Sequence, residues 1–204
     1  MKRILTVVGD EYSLHLEGLL APPVVWGPYS FVVHHSPAAF AGLDIDRYAA
    51  VCLYVNIKTI PDDLYRRLTG FIRRGGGMIA FHSTSNSFRN QPSFETVLGA
   101  RFLRHGKTAR YRIEPAGADD PLAEGVPAFE VEDELFRQRY ASAVKARFIH
   151  RSARIAEPVV WSKRYGKGTV IGISPGHRVE TMKDENLRRI FANGLRMIVP
   201  WDAV

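Results

Sequence analysis

The chain has 204 residues, 46% of them hydrophobic and 24% charged, a globular balance that excludes disorder, collagen and coiled coil. Its lone cysteine, Cys52, excludes an internal disulfide or a cysteine-based zinc finger and fits a reducing compartment; with no apolar run near the roughly 18 residues of a membrane span and no signal-peptide core in Met1–Asp10, the expectation is a soluble cytoplasmic protein with no membrane partner. The formal net charge is +7, and 21 of the 28 Lys and Arg residues are Arg, a balance that draws anionic ligands to a surface.

In chain order, Ile4 to Val8 is short and apolar apart from Thr6, as a buried parallel strand is. Tyr48 to Val55 is a second such run. Pro61-Asp62-Asp63 opens a helix, with proline at its first position and two acids at the positive end of the dipole. Leu64, Leu68, Phe71 and Ile72 recur at helical spacing, Arg73 and Arg74 suit the last turn, and Gly75 supplies the stop. A third strand follows from Met78 to His82. This β-α-β unit predicts a right-handed crossover in an α/β sheet.

A second helix is expected from Pro92 to Leu98, with Phe94, Val97 and Leu98 inward and Gly99 ending it. Lys107 to Glu114 alternates, placing Ala109, Tyr111 and Ile113 on one face; Phe129, Val131 and Leu135 share a face in the same way. If that alternation persists, Asp133 also points inward, where a carboxylate needs a partner such as an ion pair. Val159 to Lys163 and Thr169 to Ser174 flank Tyr165-Gly166-Lys167-Gly168, a hairpin signature. A last helix from about Asp184 to Val199 buries Leu187, Ile190, Phe191, Gly194, Leu195 and Ile198. No linker or repeat divides the chain, so a single domain over 1–204 is expected.

A doubly wound sheet places ligands at the carboxyl ends of its parallel strands. The first strand ends at Gly9, Asp10 and Glu11, with His15 a little further on; the second ends at Asn56 and Lys58. The third ends at His82, Ser83, Thr84, Ser85 and Asn86, and the hairpin's return strand at Ser174, Gly176, His177 and Arg178. Two histidines, several hydroxyls and an acid converge there. The densest basic stretch, Arg101 to Arg112, holds Arg101, Arg104, His105, Lys107, Arg110 and Arg112 without an acid. Its aromatics are not interleaved as a stacking platform and no nucleic-acid motif accompanies it, so a solvated basic surface is the preferred reading over nucleic-acid binding.

Several segments, in order, resemble the ThuA-like (trehalose utilisation) family. Phe71-Ile72-Arg73-Arg74-Gly75-Gly76-Gly77-Met78-Ile79-Ala80-Phe81-His82-Ser83 is similar to its glycine-rich turn, strand and histidine, and Leu98-Gly99-Ala100-Arg101-Phe102 to its G-x-x-F segment. Asp120-Pro121-Leu122-Ala123-Glu124-Gly125 follows its HP-I-x-x-G pattern with Asp120 where His is usual, and Asp133-Glu134-Leu135-Phe136 its DELY pattern with Phe136 for Tyr. Pro158-Val159-Val160-Trp161, Tyr165-Gly166-Lys167-Gly168, Gly176-His177 and Gly194-Leu195 complete the order, with Thr169 where the family often has Arg. The resemblance implies a class I glutamine-amidotransferase-like fold: a flavodoxin-like, mostly parallel sheet with helices on both faces and an antiparallel hairpin extension. It does not imply glutaminase activity. That chemistry needs a cysteine on the turn after the third strand, and here the turn carries His82 and Ser83. Gly176-His177-Arg178-Val179-Glu180 also has a His-to-Glu spacing one residue too long for a true amidotransferase.

The resemblance further implies carbohydrate catabolism, in particular of a keto-disaccharide such as 3-keto-trehalose. Elimination next to a ketone needs a base, a stabiliser for the enolate oxygen and an acid for the leaving group. His82 is assigned as base or ligand, His177 as stabiliser or ligand and Glu134 as acid or ligand, with Asp10, Asn56, Ser83, Asn86 and Asp133 as substrate-binding candidates. A divalent metal such as zinc is the cofactor that His15, His82, Glu134 and His177 would take. The expected partner is a sugar-like small molecule, with homo-oligomerisation left open. The contrasting readings are a non-catalytic, amidotransferase-like binding or regulatory domain, His15 as an ordinary helix residue, and Trp161 as core packing instead of a sugar platform. His34, His35, His105 and His150 show no ligand spacing and are expected at the surface or in strands.

Overall fold

In the computed structural model, which describes residues 1–22, 26–35, 42–153 and 155–200, the first apolar run forms β1 (Lys2–Val8), its last five residues buried. A 3-10 turn over Asp10–Tyr12 leads into α1 (Ser13–Leu20), and then comes β2 (Tyr29–His34), an edge strand with mostly half-buried side chains that the apolar pattern did not reveal. β3 (Ala50–Tyr54) is shorter than the run that contains it. α2 (Asp62–Arg74) has Pro61 as its extended N-cap and stops at Gly75, whose φ of +126° suits glycine. β4 (Gly77–Phe81) ends one residue sooner than expected, because His82 already belongs to a 3-10 helix.

α3 (Phe94–Leu98) likewise starts two residues later than Pro92. After it come β5 (Ala100–His105), β6 (Ala109–Pro115), β7 (Phe129–Asp133), β8 (Phe136–Tyr140), β9 (Lys145–Arg151), β10 (Ala156–Tyr165) and β11 (Gly168–Ile173). Leu135 lies beyond β7, and Asp133 takes the third inward position beside Phe129 and Val131. α4 (Val179–Lys183) and α5 (Glu185–Ile198) close the described chain, with the Asp184 carboxylate accepting the N–H groups of Asn186 and Leu187.

The main sheet runs β2-β1-β3-β4-β11-β10-β9-β6-β7. Its first five strands are parallel, the doubly wound, flavodoxin-like order, and β10 and β9 extend it antiparallel. The β6–β7 hairpin joins β9 only through Glu114–Ile149 and Pro115–Phe148, so its other end, where Ala109 faces Asp133, is free to lie over the sheet's carboxyl edge. β5 and β8 form a separate two-stranded ribbon. Residues of α1, α4 and α5 pack into one core and those of α2 and α3 into another, on opposite faces of the sheet. Among the described residues no helix is long and apolar enough to cross a membrane.

Trp161 belongs to the second core: it is 1% exposed and donates its indole N–H to the Leu98 carbonyl at 2.9 Å. Its ring lies against Gly172 on the neighbouring strand, where an added Cβ would come within 2.1 Å of Cζ2. Urea unfolding of Gly172→Ala should therefore show a loss of about 1–3 kcal/mol, the usual cost of overpacking, with the denaturant slope unchanged.

Candidate functional site

The site begins where β4 ends. His82 has φ +44°, a left-handed conformation that costs a non-glycine residue roughly 1–3 kcal/mol. Hydrogen bonds hold the turn in place: Thr84 Oγ1 donates to the Leu53 carbonyl, Ser85 Oγ to the His82 carbonyl and Ser83 Oγ to Tyr12 Oη. Tyr12 is itself stacked on Tyr54. The His82 ring packs on Phe136, with centroids 4.2 Å apart, and its Nδ1 lies 2.9 Å from the Ser174 carbonyl. A carbonyl only accepts, so Nδ1 carries the proton and Nε2 presents a lone pair. Burial pushes the His82 pKa down to about 4; the Asp133 carboxylate and the Ser174 carbonyl oppose that shift, and His177 and His105 add to it. The ring is neutral at pH 7.

Asp133 and Glu134 arrive from the far end of the β6–β7 hairpin. Asp133 is 0% exposed, and its partners are backbone amides in place of the expected ion pair. Its carboxylate accepts the N–H groups of Glu134 at 2.7 Å, Gly176 at 3.3 Å, His177 at 3.0 Å and Arg178 at 3.2 Å. The loop after β11 is thereby fixed, and Tyr54 Oη donates to the Gly176 carbonyl from the opposite side. Gly176 has φ +148°, and a Cβ there would lie 3.0 Å from Tyr54 Oη and 3.2 Å from His82 Cβ. Only glycine meets both demands without a shift.

Glu134 Oε2 then lies 3.7 Å from His82 Nε2 and 3.5 Å from His177 Nδ1. Potential ligand atoms of these three residues all fall within 4.8 Å of one another. The other carboxylate oxygen, Oε1, is 3.3 Å from His105 Nδ1. His105 has no ligand spacing in the sequence; it reaches the site because β5 pairs with β8 and brings it opposite Phe136, two residues beyond Glu134. The ring of His105 stacks on Phe136 with an interplanar angle of 27°.

The remaining candidates divide. His15 donates from Nε2 to the His177 carbonyl at 2.9 Å, so it supports the loop, and the metal-competent group among the described residues is His82, Glu134 and His177 without it. Asp133 serves the same loop and has no surface to offer a substrate. Ser83 is buried, with its hydroxyl engaged by Tyr12 and the Val55 carbonyl. Asn56 and Asn86 sit together at the edge, 3.5 Å apart through Oδ1 and Nδ2, and Asp10 is exposed in the turn after β1. Cys52 is 1% exposed within β3, where burial pushes its thiol pKa up. Glu180 is exposed and bonded to Arg178.

Two imidazoles and one carboxylate match an open catalytic zinc site in ligand type. The Nδ1–H of His82 on a backbone carbonyl is the outer contact that orients a ligating histidine. The residues fit a divalent ion.

The fold is shared with solved structures of low sequence identity. A protein from Parabacteroides merdae described as ThuA-like matches with a TM-score of 0.82 at 18% identity, over 98% of this chain and 90% of its own. A second, from Bacteroides uniformis, gives 0.78 at 15%, over 99% and 92%. A glutamine amidotransferase from Thermotoga maritima gives 0.64 at 13%, over 98% and 99%. No curated protein matches the chain significantly. The sequence profile of the ThuA family, described as trehalose utilisation, matches residues 25–198. The chain belongs to the ThuA family.

Proposed function

We propose that this protein is a cytoplasmic, carbohydrate-active enzyme that cleaves a keto-disaccharide such as 3-keto-trehalose by elimination. The observation that carries this reading is the meeting of His82, Glu134 and His177 within 4.8 Å at the carboxyl edge of the sheet. The family's description supports a sugar substrate. Glutaminase chemistry has no support, because the one cysteine is buried in β3 and His82 occupies the turn where the nucleophile would stand.

His82 Nε2, His177 Nδ1 and a Glu134 oxygen would hold a divalent ion such as zinc, which when bound supplies positive charge for the enolate oxygen. The proton work falls to His105, whose side chain is 40% exposed next to Glu134. Its Nδ1 lies 2.8 Å from the Gly106 carbonyl, which leaves the lone pair on Nε2. Nε2 takes the proton from the carbon between the ketone and the anomeric centre. The C–H electron pair becomes the enolate, then re-forms the ketone as the anomeric C–O bond breaks. The departing oxygen recovers the proton from His105. The products are an unsaturated keto-sugar and a free sugar.

With 3-keto-trehalose as substrate, His82→Ala and His177→Ala should each lower the cleavage rate by about two orders of magnitude or more and lose bound metal on elemental analysis. Unchanged rates in both would overturn the proposal, and sugar binding without turnover in the wild type would favour a non-catalytic domain instead. His105→Ala should retain the ion yet cut kcat about 10²-fold or more; wild-type kcat would remove His105 as the base. Asp133→Asn puts an amide N–H against backbone donors, and urea unfolding should show a loss of about 1–3 kcal/mol, accompanied by weaker metal binding.

A further inference from the structure

Two arginines of the basic stretch, Arg101 and Arg104, join two of β8, Arg137 and Arg139, in one ribbon. In the β5–β8 ribbon Arg101 stands opposite Arg139, and Arg104 opposite Arg137. Residues paired across an antiparallel ladder share a face, as do residues two apart on one strand. Four guanidinium groups therefore rise from one side of the ribbon. Like charges directly opposite destabilise a sheet, and a two-stranded ribbon has little stability to spare. The inward-facing aromatic side chains are occupied: Phe102 packs on Phe136 with centroids 4.6 Å apart, and Phe136 packs on His82.

Counter-charge covers only half of the arginine face. Glu95 takes Nε and Nη2 of Arg139 at 2.7 and 2.6 Å, a bidentate pair that uses both carboxylate oxygens. Glu157 accepts from Arg137 at 3.0 Å, from the Gln138 N–H at 3.3 Å and from Tyr140 Oη at 3.1 Å. Arg101 is half-buried and donates to the Ser87 carbonyl at 3.2 Å, the residue that closes the 3-10 turn begun by His82. Among the described residues neither Arg101 nor Arg104 has a carboxylate within ion-pair distance; the arginine ion pairs of the ribbon are those of Arg137 and Arg139. Burial, and then the neighbouring charges of Arg89 and Arg139, hold Arg101 below the usual arginine pKa, with Glu95 opposing them. The arrangement carries an electrostatic cost in the free protein that a bound anion would relieve.

We propose that this face, centred on Arg101 and Arg104, binds an anionic oxygen group, a phosphate or carboxylate, of a small-molecule ligand. Planar guanidinium groups match such oxygens in pairs; Arg101 is tied through the Ser87 carbonyl to the end of the turn begun by His82, while the arginine face lies on the side of the ribbon away from Phe136 and His82. The inference does not depend on the metal or on the elimination chemistry.

The test is a heteronuclear NMR titration of the full chain with sodium phosphate and with glucose 6-phosphate at constant ionic strength. Wild type should show saturable shifts on β5 and β8. Arg104→Gln, which removes no hydrogen bond or ion pair among the described residues, should bind several-fold more weakly, and R101Q/R104Q about tenfold or more. The control R110Q/R112Q should bind as wild type. Tighter binding of glucose 6-phosphate than of phosphate identifies a charged sugar as the source, and equal binding a free anion; both uphold the site. Absence of saturation, wild-type binding by Arg104→Gln, or an equal loss in R110Q/R112Q would overturn it.

Discussion

Asp133 is a charge with no exposed surface, held by four backbone N–H groups. A buried carboxylate is severely penalised unless its oxygens are hydrogen-bonded, as these are. That contact joins two regions kept apart by sheet order. β11 lies in the parallel half, whereas β7 is the far edge strand, reached through a hairpin tied to β9 at two positions. With Asp133 bound to Gly176, His177 and Arg178, the next residue, Glu134, faces His177 and His82. The carboxylate therefore fixes the distances on which the candidate chemistry depends.

The site is composite in origin. The parallel sheet supplies His82 and His177 from the ends of β4 and β11, as expected of a doubly wound fold. The antiparallel additions supply Glu134 from the hairpin and His105 from the ribbon. One carboxylate and three imidazoles thereby meet around the turn after β4. Strain at His82 is tolerated because the hydroxyls of Thr84 and Ser85 and the Ser174 carbonyl together determine its geometry.

The parallel half was legible because its strands are continuous apolar runs and α2 carries proline, acidic, apolar and glycine signals in order. His82 and His177 thus fall at one edge as residues that follow two parallel strands, and the family pattern adds Glu134. β2 was missed as a half-buried edge strand. β5 and β8 were missed because few of their side chains are buried and arginines occupy one face. His105 was illegible for a specific reason. Its position depends on the β5–β8 register, which shifts between Phe102 and Arg104, and a bulge of this kind leaves no periodic trace in sequence. Alternation points Asp133 inward, but its partners leave no trace in the sequence, since backbone donors contributed by a loop more than forty residues away have no side-chain signature.

The candidate chemistry requires His82, Glu134 and His177 to act as one ligand set. Its most direct test is a crystal structure of the protein soaked with zinc, with anomalous data collected on both sides of the zinc edge. A peak is expected roughly 2.0–2.2 Å from His82 Nε2, His177 Nδ1 and a Glu134 oxygen. Zinc bound elsewhere with this position empty, or His177 turned away from Glu134, would contradict it.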